Sequence, residues 1–198
     1  ALFLMLIATA WTWWGDPGAI AKWGFVPLDP LRHGGLTLLT SFFLHTGWLH
    51  LLGNAVFLLV FGDNVEDYLG HFRFLLLLLG ASLAGDLVHM TWEARAALPV
   101  VGASAGISGV IAFYALQFPK ARLVYFVRAG FVMRWVRFSA LSGFLFWCLL
   151  QGAEVWMQVN GHSYVSALAH LGGAVFGLFW WYSSRRQSQK TNDPFSLS

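Results

Sequence analysis

Apolar residues fall in long runs along this chain, broken by short polar connectors, and the run lengths predict membrane-spanning helices. Residues 1–14 carry no charge; at 1.5 Å per residue they span roughly 21 Å, short of a ~30 Å hydrocarbon core. They read as the end of a first span whose beginning is missing. The alternative, a signal peptide cut at Ala8-Thr9-Ala10, lacks the basic flank such segments carry. Residues 15–38 form a loop with turn chemistry at Asp16-Pro17-Gly18 and around Pro27 and Pro30; its Trp23, Phe25 and Leu31 predict packing or an interfacial position. Residues 36–69 are apolar again, with His45, His50 and Asn54 inside the run. Residues 72–90, 104–118, 138–159 and 165–182 supply four more apolar runs, the last followed by Arg185-Arg186. The expected fold is all-α: a polytopic membrane protein with a bundle of six transmembrane helices over residues 1–184, its first span truncated. A disordered polar cytoplasmic tail is expected over residues 185–198.

Composition supports the same class. The chain is 58% hydrophobic and 11% charged, against about 25% charged in a soluble domain. The single cysteine, Cys148, excludes a disulfide scaffold and a thiolate metal cluster. Basic residues flank the apolar runs instead of forming a patch, which argues against nucleic acid and for membrane topology. Arg73, the basic residues from Lys120 to Arg137, and Arg185, Arg186 and Lys190 fall in alternate connectors and the tail; the other connectors hold only Lys22, Arg32 and Arg95. The positive-inside rule then puts both termini in the cytoplasm. It brings Ser104, the start of the second span with His45 and His50, and the start of the sixth span with His170 to the same outer depth.

Polar groups inside a span are expensive and point to function. His50 and Asn54, four residues apart, share a helix face. Ser104 lies in a run of small residues, Gly102-Ala-Ser-Ala-Gly106, and His170 lies beside Gly173 and Gly177. A stripe of Ser104, Ser108, Ala112 and Ala115 facing the glycines of the sixth span would let the two helices approach closely, bringing Ser104 within hydrogen-bond reach of His170. A neutral imidazole there could take the serine proton and later return it to a leaving amine. No acid lies near His170 in sequence, so a Ser104–His170 dyad is expected, with the imidazole held by packing. His50, Asn54 and the Ser104 N–H are candidate donors to an oxyanion. Each feature alone reads more readily as helix packing or a polar clamp; their shared depth on separate spans favours chemistry.

Four motifs resemble those of the rhomboid family of intramembrane serine proteases, in that family's order. They are Phe43-Leu-His-Thr-Gly-Trp-Leu-His-Leu-Leu-Gly-Asn54, Phe61-Gly-Asp-Asn-Val-Glu-Asp67, Gly102-Ala-Ser104 and Ala169-His-Leu-Gly-Gly173. The resemblance runs from about Val26 to Tyr182 and is to bacterial members. It implies a six-helix core, Ser104 and His170 as the catalytic dyad, and His50 and Asn54 as oxyanion donors. It also implies cleavage of single-span or multi-span membrane-protein substrates near the outer face of a bacterial inner membrane. Sideways access between the second and fifth spans follows by analogy, with Phe144, Phe146, Trp147 and Trp156 as a gate. The sequence departs from the family in three places. Ala105 follows the serine where glycine is frequent. Ser108 stands where an aromatic can stack on the histidine. Leu36-Thr37 stand where some members have Trp-Arg.

No cofactor and no metal is expected, because no carboxylate joins His45, His50 and His170. Glu66 and Asp67, at the far end of the second span, read as capping or inter-loop groups. His45 is expected to line a water cavity, and His33, His71, His89 and His162 to be solvated. The lipid bilayer is an expected partner, and the oligomeric state is left open. The alternative function is a catalytically inactive rhomboid-like protein that binds transmembrane helices. A small transporter would need a charged path or internal repeats, and the sequence shows neither.

Overall fold

The structure, a computed structural model, describes residues 2–92, 97–129, 132–163 and 165–191. Helix α1 (Leu2–Trp14) stops at the Gly15-Asp16-Pro17 turn, where proline forbids continuation. The following loop contains a short helix α2 (Ala19–Trp23), and Phe25 pairs with Val100 through two backbone hydrogen bonds. The loop is therefore stapled to the segment that precedes Ser104. Phe25 is fully buried, which accounts for an apolar residue in a turn-rich stretch.

The expected second span is interrupted. Thr37–Thr40 forms a short helix α3 and a 3-10 turn follows to Phe43; the backbone is then extended at Leu44 and again at Gly47. Helix α4 (Trp48–Leu69) begins only after that break. Gly70, at φ +77, reverses the chain into α5 (His71–Trp92). Glu66 takes a 2.6 Å hydrogen bond from His71 across this turn, the inter-loop contact expected of it. The next connector's Glu93 and Arg95 lie outside the described residues.

Helix α6 (Ser104–Gln117) is only 14 residues long and is buried on every side from Ala105 to Ala115. At 1.5 Å per residue it covers roughly 21 Å, less than a ~30 Å hydrocarbon core, and Ser104 stands at its first turn. A helix apolar all round belongs at the centre of a bundle, and α6 is that centre. Glycines set its neighbours' approach. Gly106 lies against the Leu78 carbonyl of α5, and Gly109 against Ala81 of α5 and Gly173 of α8 (Ala167–Thr191). Gly173 and Gly177 press directly on the backbone carbonyls of Ala105 and Gly109. The face of α6 that meets α8 is therefore Ala105–Gly109, one residue over from the expected serine stripe. Ser108 instead donates to the Ser104 carbonyl at 2.7 Å.

The basic connector after α6 folds as an antiparallel hairpin, β1 (Arg122–Ala129) and β2 (Val132–Ser139), an element the sequence reading did not foresee. Phe126 faces Trp135 across it with ring centroids 5.0 Å apart. Ser139 caps α7 (Ala140–Val159), its hydroxyl accepting from the Ser142 N–H at 3.1 Å, which starts that helix two residues later than its apolar run. Helix α8 runs on to Thr191, past the point where the disordered tail was expected to begin; residues 192–198 lie outside the described residues. By length and composition α4, α5 and α7 can each cross a membrane, and α1 and α6 are shorter apolar helices.

Candidate active site

The close approach of α6 and α8 determines where their polar residues meet. Ser104 opens α6, and His170 lies one turn into α8, three residues before Gly173. Because Gly173 touches the Ala105 carbonyl, the His170 imidazole reaches back to the first turn of α6. His170 Nε2 stands 2.8 Å from Ser104 Oγ. On its other side, His170 Nδ1 lies 2.9 Å from Gln151 Oε1 of α7. The imidazole is thus hydrogen-bonded at both nitrogens. The expectation that packing alone would hold it is corrected.

His50, on the first turn of α4, faces the same place. Its Nδ1 is 3.1 Å from the Thr46 hydroxyl. Gly102, two residues before Ser104, adopts φ +121, and a Cβ there would sit 2.7 Å from the His50 ring. Only glycine fits, on both conformational and steric grounds. Its N–H is fixed by the Ser41 carbonyl at 2.9 Å. Asn54 is buried one turn further along α4, and its amide donates to the His50 carbonyl at 3.1 Å. It stands behind His50 and Gly102 and does not line the cavity that the other three residues share.

That cavity has a volume of about 530 Å³ and opens beside Ser104 and His170. Its wall includes His50 and Thr46, the Leu98–Gly102 segment, and Asp86 and His89 of α5. Gln158, at the end of α7, completes it. Asp86 and His89 are buried, which corrects the expectation of a solvated His89. Gly85 explains their position: it packs against Ala105 and Ala169, the neighbours of Ser104 and His170, so the next turn of α5 must reach the cavity. Gln158 contacts His89 at 3.4 Å and accepts from the Leu168 N–H at 3.2 Å, joining α7 to α5 and α8. Gln151, Asp86 and Gln158 are the site residues the sequence reading missed, although each is a polar group inside an apolar run.

One other expectation changes. His45 does not line the cavity: it is fully buried, with Nδ1 3.2 Å from the Thr9 hydroxyl of α1 and its ring edge-on to His50 at 5.0 Å. The four aromatics of α7 expected as a gate differ in exposure. Phe144 is buried and stacks on Trp147, whereas Phe146 and Trp156 are 61% and 65% exposed.

Chemically, the arrangement pairs a hydroxyl with an imidazole nitrogen in an open cavity inside a helical bundle. This defines an integral, multi-pass membrane protein with its polar centre at the start of a short, buried helix. The rhomboid domain profile matches residues 32–187, and the chain belongs to the rhomboid family. It is 34% identical over 160 residues to Rhomboid-related protein 1 of Caenorhabditis elegans, covering 80% of this chain and 43% of that protein. It is 31% identical over 155 residues to Rhomboid protein 1, mitochondrial, of Saccharomyces cerevisiae, covering 76% and 42%. Identity to RHOMBOID-like protein 12, mitochondrial, of Arabidopsis thaliana is 25% over 178 residues, covering 81% and 50%. The chain thus spans half or less of the length of these relatives. They are eukaryotic, two of them mitochondrial by name, and give no support to the expected bacterial inner membrane.

Proposed function

We propose that the chain is an intramembrane serine endopeptidase that hydrolyses peptide bonds in or near the transmembrane segment of membrane-protein substrates. The observation that carries this reading is the 2.8 Å contact between Ser104 Oγ and His170 Nε2 beside an open cavity. His170 takes the hydroxyl proton as Ser104 Oγ bonds to the substrate carbonyl carbon. The imidazolium then gives that proton to the departing amine, the C–N bond breaks, and an acyl-enzyme remains. Water from the cavity, deprotonated by His170, releases the acid and restores the serine. The oxyanion formed at each step is opposed by the Ser104 N–H and His50, with Asn54 holding the His50 backbone from one turn along α4. In this role His50 carries its hydrogen on Nε2, and its Nδ1 accepts from the Thr46 hydroxyl 3.1 Å away.

Orientation follows from charge: the termini and the hairpin lie on the cytoplasmic side and the cavity opens toward the opposite face. Substrates are single-span or multi-span membrane proteins whose helices unwind at the scissile bond, since a helical peptide bond is shielded from a nucleophile.

Cleavage of a single-span reporter in liposomes tests the reading. Wild type cuts, and Ser104→Ala and His170→Ala each lose on the order of 10³-fold or more. A fluorophosphonate probe labels wild type and not Ser104→Ala. Equal cleavage by wild type and Ser104→Ala overturns the proposal. A wild-type protein that binds the reporter without cutting it replaces the proposal with a helix-binding role.

A further inference from the structure

We propose that Gln151 is the positioning residue of this site, a neutral third member that selects the reactive tautomer of His170 and aims its ring at Ser104. The proposal rests on the Ser104–His170 reading and adds to it the question of what makes the imidazole a base. An imidazole can accept the serine proton at Nε2 only if its own hydrogen sits on Nδ1. In solution the two neutral tautomers interconvert freely, so a buried histidine needs a group on Nδ1 that accepts and does not donate. The Gln151 carboxamide oxygen stands 2.9 Å from Nδ1 and can only accept. The Nδ1–H···Oε1 bond leaves the Nε2 lone pair facing the Ser104 hydroxyl at 2.8 Å. The reverse orientation of the amide would present an NH2 to Nδ1. Nε2 would then carry the hydrogen, and the serine would face a donor.

Two features of this chain make such a residue necessary. No carboxylate hydrogen-bonds to His170 among the described residues. Glu154, one turn along α7 from Gln151, instead accepts from the Ser163 hydroxyl. Ser108, on the turn of α6 after Ser104, offers no ring to stack on the imidazole, and its hydroxyl is spent on the Ser104 carbonyl. Gln151 supplies direction without a charge. An uncharged acceptor also suits an apolar span, where an ionised partner would be expensive to bury.

The test compares Gln151→Leu, which keeps volume and removes the acceptor, with Gln151→Glu, which keeps the acceptor and adds charge. Each is assayed on the reporter across pH and its melting is followed in detergent. Gln151→Leu loses roughly 10- to 100-fold in kcat, with KM and melting temperature near wild type, because the ring is no longer held in one tautomer. Gln151→Glu recovers most of kcat, and its acid limb moves to higher pH, because a carboxylate on Nδ1 favours the imidazolium, which cannot act as base. His50 on α4 and Glu154 on α7 also act on His170 electrostatically, and Asp86 and His89 line the same cavity. All four are unchanged in both variants, so a difference between them reports residue 151.

Nitrogen-15 spectra of the His170 ring give a second readout that needs no activity. They show hydrogen on Nδ1 in wild type and a mixed population in Gln151→Leu. Wild-type kcat and wild-type ring spectra in Gln151→Leu would overturn the proposal, as would an Nε2–H tautomer in the wild-type protein. If the wild type cuts nothing while its spectra show Nδ1–H held by Gln151, the protease reading fails and the positioning role stands.

Discussion

Gly102 is the residue on which the site's geometry turns. Its φ of +121 is closed to side-chain-bearing residues, and the space a Cβ would need is filled by the His50 ring. Gly102→Ala is expected to lower kcat by on the order of 10²-fold, the cost typical of displacing one oxyanion donor. It should also cost about 1–3 kcal/mol of stability from backbone strain. Cleavage kinetics and thermal unfolding in detergent measure the two effects separately. The importance of Gly102 was legible only in part. Glycine two residues before Ser104 stands in the sequence, but its contact with His50 comes from a helix some fifty positions upstream, and nothing local encodes it. Asn54 shows the converse. Its i, i+4 relation to His50 was readable, and the structure adds that its amide is engaged with the His50 carbonyl.

At the scale of elements, the bundle is held by small residues where α5, α6 and α8 cross. Gly177 presses on the Gly109 carbonyl, so Gly177→Ala must push two backbones apart. The expected cost is about 1–3 kcal/mol, seen as a lower melting temperature. Gly152 of α7 has open space where a Cβ would go; Gly152→Ala should be neutral or stabilise by up to about 1 kcal/mol through helix propensity. Equal effects at the two positions would contradict helix contact as the role of Gly177. The glycine pattern of α8 was visible in the sequence because a four-residue spacing marks one helix face. The hairpin was not. Val124 and Phe126 alternate with Leu123, so both strand faces carry apolar residues, and interspersed arginines mask the period of two that marks a strand. The break before α4 is not marked by a proline: apolar residues at Leu36, Leu38, Leu39 and Phe42–Leu44 continue toward α4, and the interruption lies in the extended backbone at Leu44 and Gly47.

For the whole molecule, the topology proposed from the basic residues has the hairpin and the cavity on opposite sides of the membrane. Cys148 is the chain's single cysteine, so a Cys148→Ala background permits site-directed labelling. In sealed, right-side-out vesicles an impermeant maleimide should label Leu98→Cys, at the cavity rim, and leave Arg134→Cys, on the hairpin, unlabelled until detergent is added. The opposite pattern would invert the topology. Hydropathy, charge asymmetry and helix periodicity were enough to determine the class of the molecule and which serine, histidines and asparagine to examine, because these are properties of composition and of near neighbours in the chain. Only the tertiary structure decided what surrounds them. It brought Gln151 to the back of His170, put Asp86 and His89 in the cavity wall, and turned His45 away toward α1. Those contacts join positions far apart in sequence through helix crossings, and a crossing is a property of two packed surfaces that neither segment carries alone.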